Sequence, residues 1–250
     1  MPFRPFAAAA VAALAVPAAL AQSPAAPTPT PDARLTYATT LDVMGQQLRL
    51  TGTRTVEAVT AADGSARYRI VDSTMLPPEA GGTTVVDSSE VDAATRLPVY
   101  RRLTAPTPMG TQVVRLAFTP TSVTGESGAL GATTPVSATL TAPVFTGGAA
   151  LELLFGIRPL AVGYTEALTV MEPQGAMAPM PMTLSVDAAE SITVPAGTFE
   201  AYKMTLAATD GSTSQTIWVA RAAPHTVLRA VSTLGPEMGN GRMTVELASK

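Results

Sequence analysis

The chain has 250 residues, of which 46% are hydrophobic and only 14% charged, with no cysteine, one histidine and a formal net charge of −3. The acidic balance disfavours nucleic acid and anionic membrane surfaces as partners. Without cysteine the chain forms no disulfide, no thiolate metal site and no lipidated N-terminal cysteine, so its stability rests on its core.

At the N-terminus, Arg4 precedes an apolar run from Phe6 to Val16, shorter than the roughly 20 residues that span a bilayer. The run closes on Ala19-Leu20-Ala21, the small-x-small pattern of a signal-peptidase site. These features predict a signal peptide over 1–21, cleaved near Ala21. The mature chain is then periplasmic or extracellular and has no transmembrane segment. Residues 22–33 follow as a Pro-rich linker, expected to be disordered, in which Pro24, Pro27, Pro29 and Pro31 fix φ and remove backbone donors. Residues 34–250 are expected to form one β domain.

From Leu35 the pattern has period two. Leu35, Tyr37, Leu41 and Val43 share one side, against Thr36, Thr40 and Asp42. Leu48, Leu50, Val56 and Ala58 form the next apolar row, which Arg54 interrupts, and Tyr68 with Ile70 continue the alternation. Between these runs Ala62-Asp63-Gly64-Ser65 has hairpin-turn chemistry. The alternation returns in Val114, Leu116 and Phe118, in Tyr202, Met204 and Leu206, and in Met243, Val245 and Leu247. One dry face and one wet face are the mark of antiparallel sheets packed on one side. Thr209-Asp210-Gly211-Ser212 is a second Asp-Gly turn, leading into Ile217-Trp218-Val219. Residues 91–108 and 219–236 align without a gap as a modest internal repeat, with Arg101 opposite Arg229.

One segment departs from the strand pattern. After Thr146-Gly147-Gly148, residues 149–157 read as a short helix, with Thr146 as N-cap and Pro159 as terminator. Leu151, Leu154 and Phe155 form one stripe and Leu153 with Ile157 another, so the helix is expected to be buried nearly all round. Five such side chains contribute on the order of 7 to 15 kcal/mol of gross burial. The expected fold is mainly β: a single antiparallel, strongly curled sheet or open barrel with this helix on the concave side. An apolar pocket is expected around Leu151, Leu154, Phe155, Ile157, Tyr202 and Met204.

Three stretches carry a family resemblance: Arg158-Pro159-Leu160-Ala161-Val162-Gly163 after the helix, Ile192-Thr193-Val194-Pro195-Ala196-Gly197-Thr198-Phe199-Glu200-Ala201-Tyr202-Lys203, and Ile217-Trp218-Val219. Together they resemble the bacterial domain-of-unknown-function family 3108, closely over 146–250. Before that, the match is a looser one, through Val91-Asp92-Ala93-Ala94-Thr95-Arg96-Leu97-Pro98-Val99. The sequence departs from the family pattern at Gly163-Tyr164 and Ala220-Arg221. The resemblance implies an envelope β-protein, without an assigned chemistry. By looser analogy it is similar to the half-barrels of periplasmic lipoprotein carriers.

No residue pattern points to catalysis or a cofactor. His225 has no G-x-S-x-G partner, a single His without Cys does not build a closed zinc site, and no D-x-D-x-D-G run is present for calcium. Gly197 makes the Pro195–Thr198 stretch read as a structural turn. Soft thioethers at Met177, Met180 and Met182 suit copper(I), but the prolines of 171–182 favour a mobile hairpin loop. The expectation is an exported, non-catalytic envelope protein that binds a lipid or other apolar ligand inside a curled sheet. The alternative is a structural module that docks an envelope protein partner and takes no small-molecule ligand.

Overall fold

The computed structural model describes residues 33–78, 81–107, 110–171, 178–236 and 239–250. The first half of the chain forms β1 (Ala33–Val43), β2 (Gln46–Thr60), β3 (Ala66–Met75), β4 (Thr84–Asp92), β5 (Pro98–Thr107), β6 (Gly110–Thr119), β7 (Ser122–Ala129) and β8 (Ala132–Thr139). A two-residue strand β9 (Phe145–Thr146) and the helix α1 (Ala149–Phe155) lead into β10 (Thr165–Met171), β11 (Pro179–Val194), β12 (Gly197–Ala208), β13 (Ser214–Ala220), β14 (Val227–Thr233) and β15 (Arg242–Ser249). The expected turns close the expected hairpins. Gly64 N–H donates to Ala61 O, and Asp63 accepts from the Ser65 N–H and hydroxyl.

All fifteen strands belong to one sheet, in the order β8 to β1 and then β15 back to β9. Two meanders therefore join where β1 pairs with β15, and β8 and β9 are the free edges of a sheet that is not closed into a barrel. Every pairing is antiparallel except the short parallel contact of β9 with β10. The sheet bends enough for a seven-residue helix to touch both halves. Leu151, Leu154 and Phe155 pack with Leu184, Met204, Ile217 and Val219, while Ala149 and Ala150 pack with Val56, Tyr68, Ile70 and Val91. The single curled sheet with one buried helix is the architecture expected from the sequence.

Four details correct the sequence reading. The N-cap of α1 is Gly148, without a side-chain cap bond. Thr146 belongs to β9, its hydroxyl buried and unpartnered. Gly148 at φ +72° turns the chain from strand into helix, a conformation a residue with Cβ rarely adopts. Met180 and Met182 lie within β11 rather than in a loop, with Pro179 and Pro181 opposite Met171 and Thr169 of β10. Finally, the aligned hairpins share a register shift, between Glu90 and Val91 and between Trp218 and Val219, but not their arginines. Arg101 is buried beside the helix, whereas Arg229 pairs with Glu246 and lies over Trp218.

The family-motif turns have structural explanations. Asp92 Oδ1 accepts from Ala94 N, Thr95 N and the Thr95 hydroxyl at 2.7–3.1 Å, which fixes the β4–β5 turn. The tip of the β11–β12 hairpin docks on β15 through Ala196 N–H to Leu247 O. Trp218 packs there with Ile192, Leu228 and Leu247 and donates its indole N–H to Glu190.

Strands β6 and β7 approach so closely at Gly125 that an added Cβ would sit 1.9 Å from Arg115 O. Since the obstacle is backbone, Gly125→Ala is expected to force the pair apart and lower stability by about 1–3 kcal/mol in urea unfolding.

Candidate functional site

The interruption of the apolar row at Arg54 is the start of the site. Cross-strand register places Leu35, Arg54, Asp72, Asp87 and Leu103 side by side on β1 to β5. Asp72 and Asp87 face each other directly, which repels unless each charge is met. Arg54 forks onto Asp72, Nε to Oδ1 at 2.7 Å and Nη2 to Oδ2 at 3.1 Å. Arg101 forks onto Asp87, Nε to Oδ1 at 3.1 Å and Nη2 to Oδ2 at 2.6 Å. Planar guanidinium matched to carboxylate in this way is the strong, directional form of the interaction.

Each arginine has one nitrogen left, and both spend it on the helix segment. Arg54 Nη1 donates to Glu152 of α1, and Arg101 Nη1 donates to Gly147 O at 3.0 Å. The guanidinium of Arg54 also lies 4.8 Å from the ring centre of Tyr37, whose hydroxyl donates to Val227 O at 3.2 Å. Burial opposes the charge on Arg54, but Glu152 and Asp72 together push its pKa up. For Glu152 burial is the largest influence and Asp72 adds repulsion, so its carboxyl titrates above the ordinary range despite Arg54. Burial likewise pushes the Tyr37 hydroxyl up, against the attraction of Arg54.

Beside this network, between α1 and the sheet, is a cavity of about 270 Å³. Leu35, Val56, Ala149, Leu153 and Val227 supply apolar walls, and Tyr37, Arg54 and Glu152 also line it. Arg34, His225 and Lys250 belong to the same lining. His225 Nδ1 lies 2.9 Å from Ala220 O, as a ring N–H donating to that carbonyl. Near the β4–β5 and β6–β7 turns is a second cavity of about 320 Å³, bordered by Pro98, Phe118 and Val144. A third, of about 340 Å³, is lined by Met180, Met182 and Met243, and by Gly148, which adjoins Ala149 of the first.

The six residues expected to form an apolar pocket do come together, in one cluster. Leu151, Leu154, Phe155 and Met204 are buried in it, with Ile157 and Tyr202 packed against it, and they line none of these three cavities. They anchor the helix to the C-terminal half of the sheet, while the first cavity adjoins β1 and β2. Of the candidate copper ligands, Met177 lies outside the described residues. Met180 and Met182 lie two residues apart on β11 and line the third cavity. No group of three or more His, Cys, Asp or Glu able to hold a metal occurs among the described residues, and no helix there is long and apolar enough to cross a membrane.

After α1, Arg158 forks onto Glu166 with both contacts at 2.8 Å, and the Tyr164 hydroxyl donates to the same carboxylate. Burial and Glu166 push Tyr164 up to about 12. Its role is to tie the helix exit to β10.

Arg54 serves two carboxylates, so the variants are expected to be unequal. Arg54→Met leaves Asp72 and Glu152 without their cation and should cost about 3–5 kcal/mol in urea unfolding. Glu152→Gln keeps Arg54 paired with Asp72 and should cost under about 1 kcal/mol near neutrality. A raised pKa in the fold means that the contribution of Glu152 is fully present below the ordinary value of 4.5 and lost as pH rises through the folded pKa. The stability of wild type relative to Glu152→Gln should accordingly decline across that interval.

No curated protein matches the chain. Among solved structures it is similar to a β-barrel-like protein of the domain of unknown function DUF1849 from Brucella abortus, at 14% identity and a TM-score of 0.49, covering 86% of this chain and 95% of that one. It is also similar to a candidate exported protein with YmcC-like fold from Bacteroides fragilis, at 10% identity and a TM-score of 0.37, covering 88% and 96%. A candidate lipoprotein from Parabacteroides distasonis matches at 11% identity and a TM-score of 0.35, covering 88% and 96%. The family model for proteins of unknown function DUF3108 matches residues 34–246 and so takes in both halves of the sheet; the chain belongs to that family.

Proposed function

We propose that this chain is an exported, non-catalytic binding protein of the bacterial envelope, and that it holds an apolar ligand in the cavity between α1 and strands β1 and β2. The observation that carries the reading is the cavity itself: the buried helix fills the concave face toward the C-terminal half and leaves about 270 Å³ open beside Leu35, Val56 and Leu153. That volume is near the lower end of small-molecule sites, which are concave and mostly apolar with a few fixed polar groups. Export is supported by the leader-like residues 1–21.

A binding role suits the polar groups that line the cavity. Arg54 and Glu152 engage each other, Tyr37 donates to a carbonyl, and His225 Nδ1 is held by Ala220 O. None of these pairs a nucleophile with a base, the arrangement covalent catalysis needs. The apolar walls supply affinity by removing a chain from water, at about 25 cal/mol per Å².

The test uses N-phenyl-1-naphthylamine, a neutral apolar fluorophore, with the mature protein. Saturable, stoichiometric enhancement is expected. Leu153→Trp, which fills the cavity from the half-buried face of α1, should weaken it at least tenfold without lowering the melting temperature. Absence of saturable binding would overturn the ligand reading in favour of the docking module.

A further inference from the structure

We infer that the ligand of this cavity is a long-chain carboxylate, its alkyl chain between α1 and β1–β2 and its anionic end at the rim beside Arg34 and Lys250. The inference rests on the apolar-ligand reading and specifies its chemistry. Two observations carry it: the distribution of charge along the cavity and the prior engagement of the interior cation.

At the deep end every nitrogen of Arg54 already meets a carboxylate. Asp72 occupies Nε and Nη2, and Glu152 occupies Nη1. An incoming anion would find there one cation already shared by two carboxylates, at a site whose surplus charge is negative. The inner end therefore repels a second anion and accepts a methyl terminus against Val56, Ala149 and Leu153.

The rim has the opposite character. Arg34 and Lys250 are exposed, line the cavity, and make no ion pair among the described residues. Arg54, Arg67, Arg69, Arg101, Arg115, Arg158 and Arg229 each meet an acidic side chain, whereas Arg49, Arg96, Arg102, Lys203, Arg221 and Arg242 make no ion pair among the described residues either, so it is their place at the cavity that sets Arg34 and Lys250 apart. Lys250 Nζ stands 5.1 Å from the ring centre of Phe199, on the docked β11–β12 hairpin. On a chain of net charge −3, two unpaired cations at the mouth of an apolar cavity form a local field of opposite sign, which selects and orients an anionic amphiphile. A compact end group suits a cavity of this size.

The experiment displaces N-phenyl-1-naphthylamine from the mature protein with three ligands of equal chain length: dodecanoate, dodecanol and dodecyl phosphate. Dodecanoate is expected to bind about tenfold tighter than dodecanol at low ionic strength, with the gap narrowing as salt is added. Arg34→Glu combined with Lys250→Glu, both at exposed positions, should erase the advantage of dodecanoate and leave dodecanol unchanged. Equal binding of dodecanoate and dodecanol would overturn the end-group assignment while the apolar-ligand reading stands. Tenfold preference for dodecyl phosphate over dodecanoate would overturn the carboxylate in favour of a phosphate-bearing lipid. If Glu152→Gln tightens dodecanoate while the rim variant has no effect, the anion lies inside and the proposed orientation falls. If none of the three displaces the fluorophore and Leu153→Trp does not alter its binding, the ligand reading itself fails.

Discussion

Two arginines inside a β-sheet hold a helix that is too short to stand alone. Seven residues in isolation do not repay helix nucleation, and α1 has neither a side-chain N-cap nor a basic residue in its last turn. Its place is fixed by apolar packing on one side and by Arg54 and Arg101 on the other. Each arginine first neutralises an aspartate on the neighbouring strand and then reaches the helix segment with its remaining nitrogen. Apolar packing buries Leu154 and Phe155 against the C-terminal half, and the arginine attachment joins the N-terminal half to the same helix.

The attachment also explains why charge is retained within an otherwise dry interior. Replacing a buried ion pair by apolar residues is often neutral or stabilising in energy alone. Here the pairs specify position. Apolar contacts would let a smooth helix slide along the sheet, whereas single hydrogen bonds from two anchored arginines to Glu152 and to Gly147 O, five residues apart in sequence, oppose both its sliding and its rotation. The cavity exists because the helix is held at that setting.

Much of this was legible in the residues. Strand alternation, the two Asp-Gly turns and the buried helical segment follow from period, turn chemistry and the Gly-Gly sequence before Ala149. The helix begins at Ala149 as expected, but its cap is Gly148 rather than Thr146, because a cap directly precedes the first helical residue and Thr146 stands three positions before it. The charged network left a trace only in Arg54, which broke an apolar row. Its partners Asp72, Asp87 and Arg101 are ordinary strand residues until the register of four consecutive strands brings them within reach, and that register depends on turns and bulges that alternation alone does not fix. The same limit applies to the cavity. The residues expected to form an apolar pocket pack in one cluster and line none of the three cavities, since which side of a helix packs tightly and which stays open depends on the relative bend of two meanders.

The pairing of β1 with β15 has a consequence for the life history of the chain. Residues 200 or more positions apart meet at the middle of the sheet, so the central seam closes only after every other strand of the sheet has been made. Until then β1 and β14 are bare hydrogen-bonding edges, open to pairing with other chains, and such distant contacts form slowly. Before the seam closes, each meander pairs strands only within itself, and in that interval a companion that shields strand edges would have most to offer.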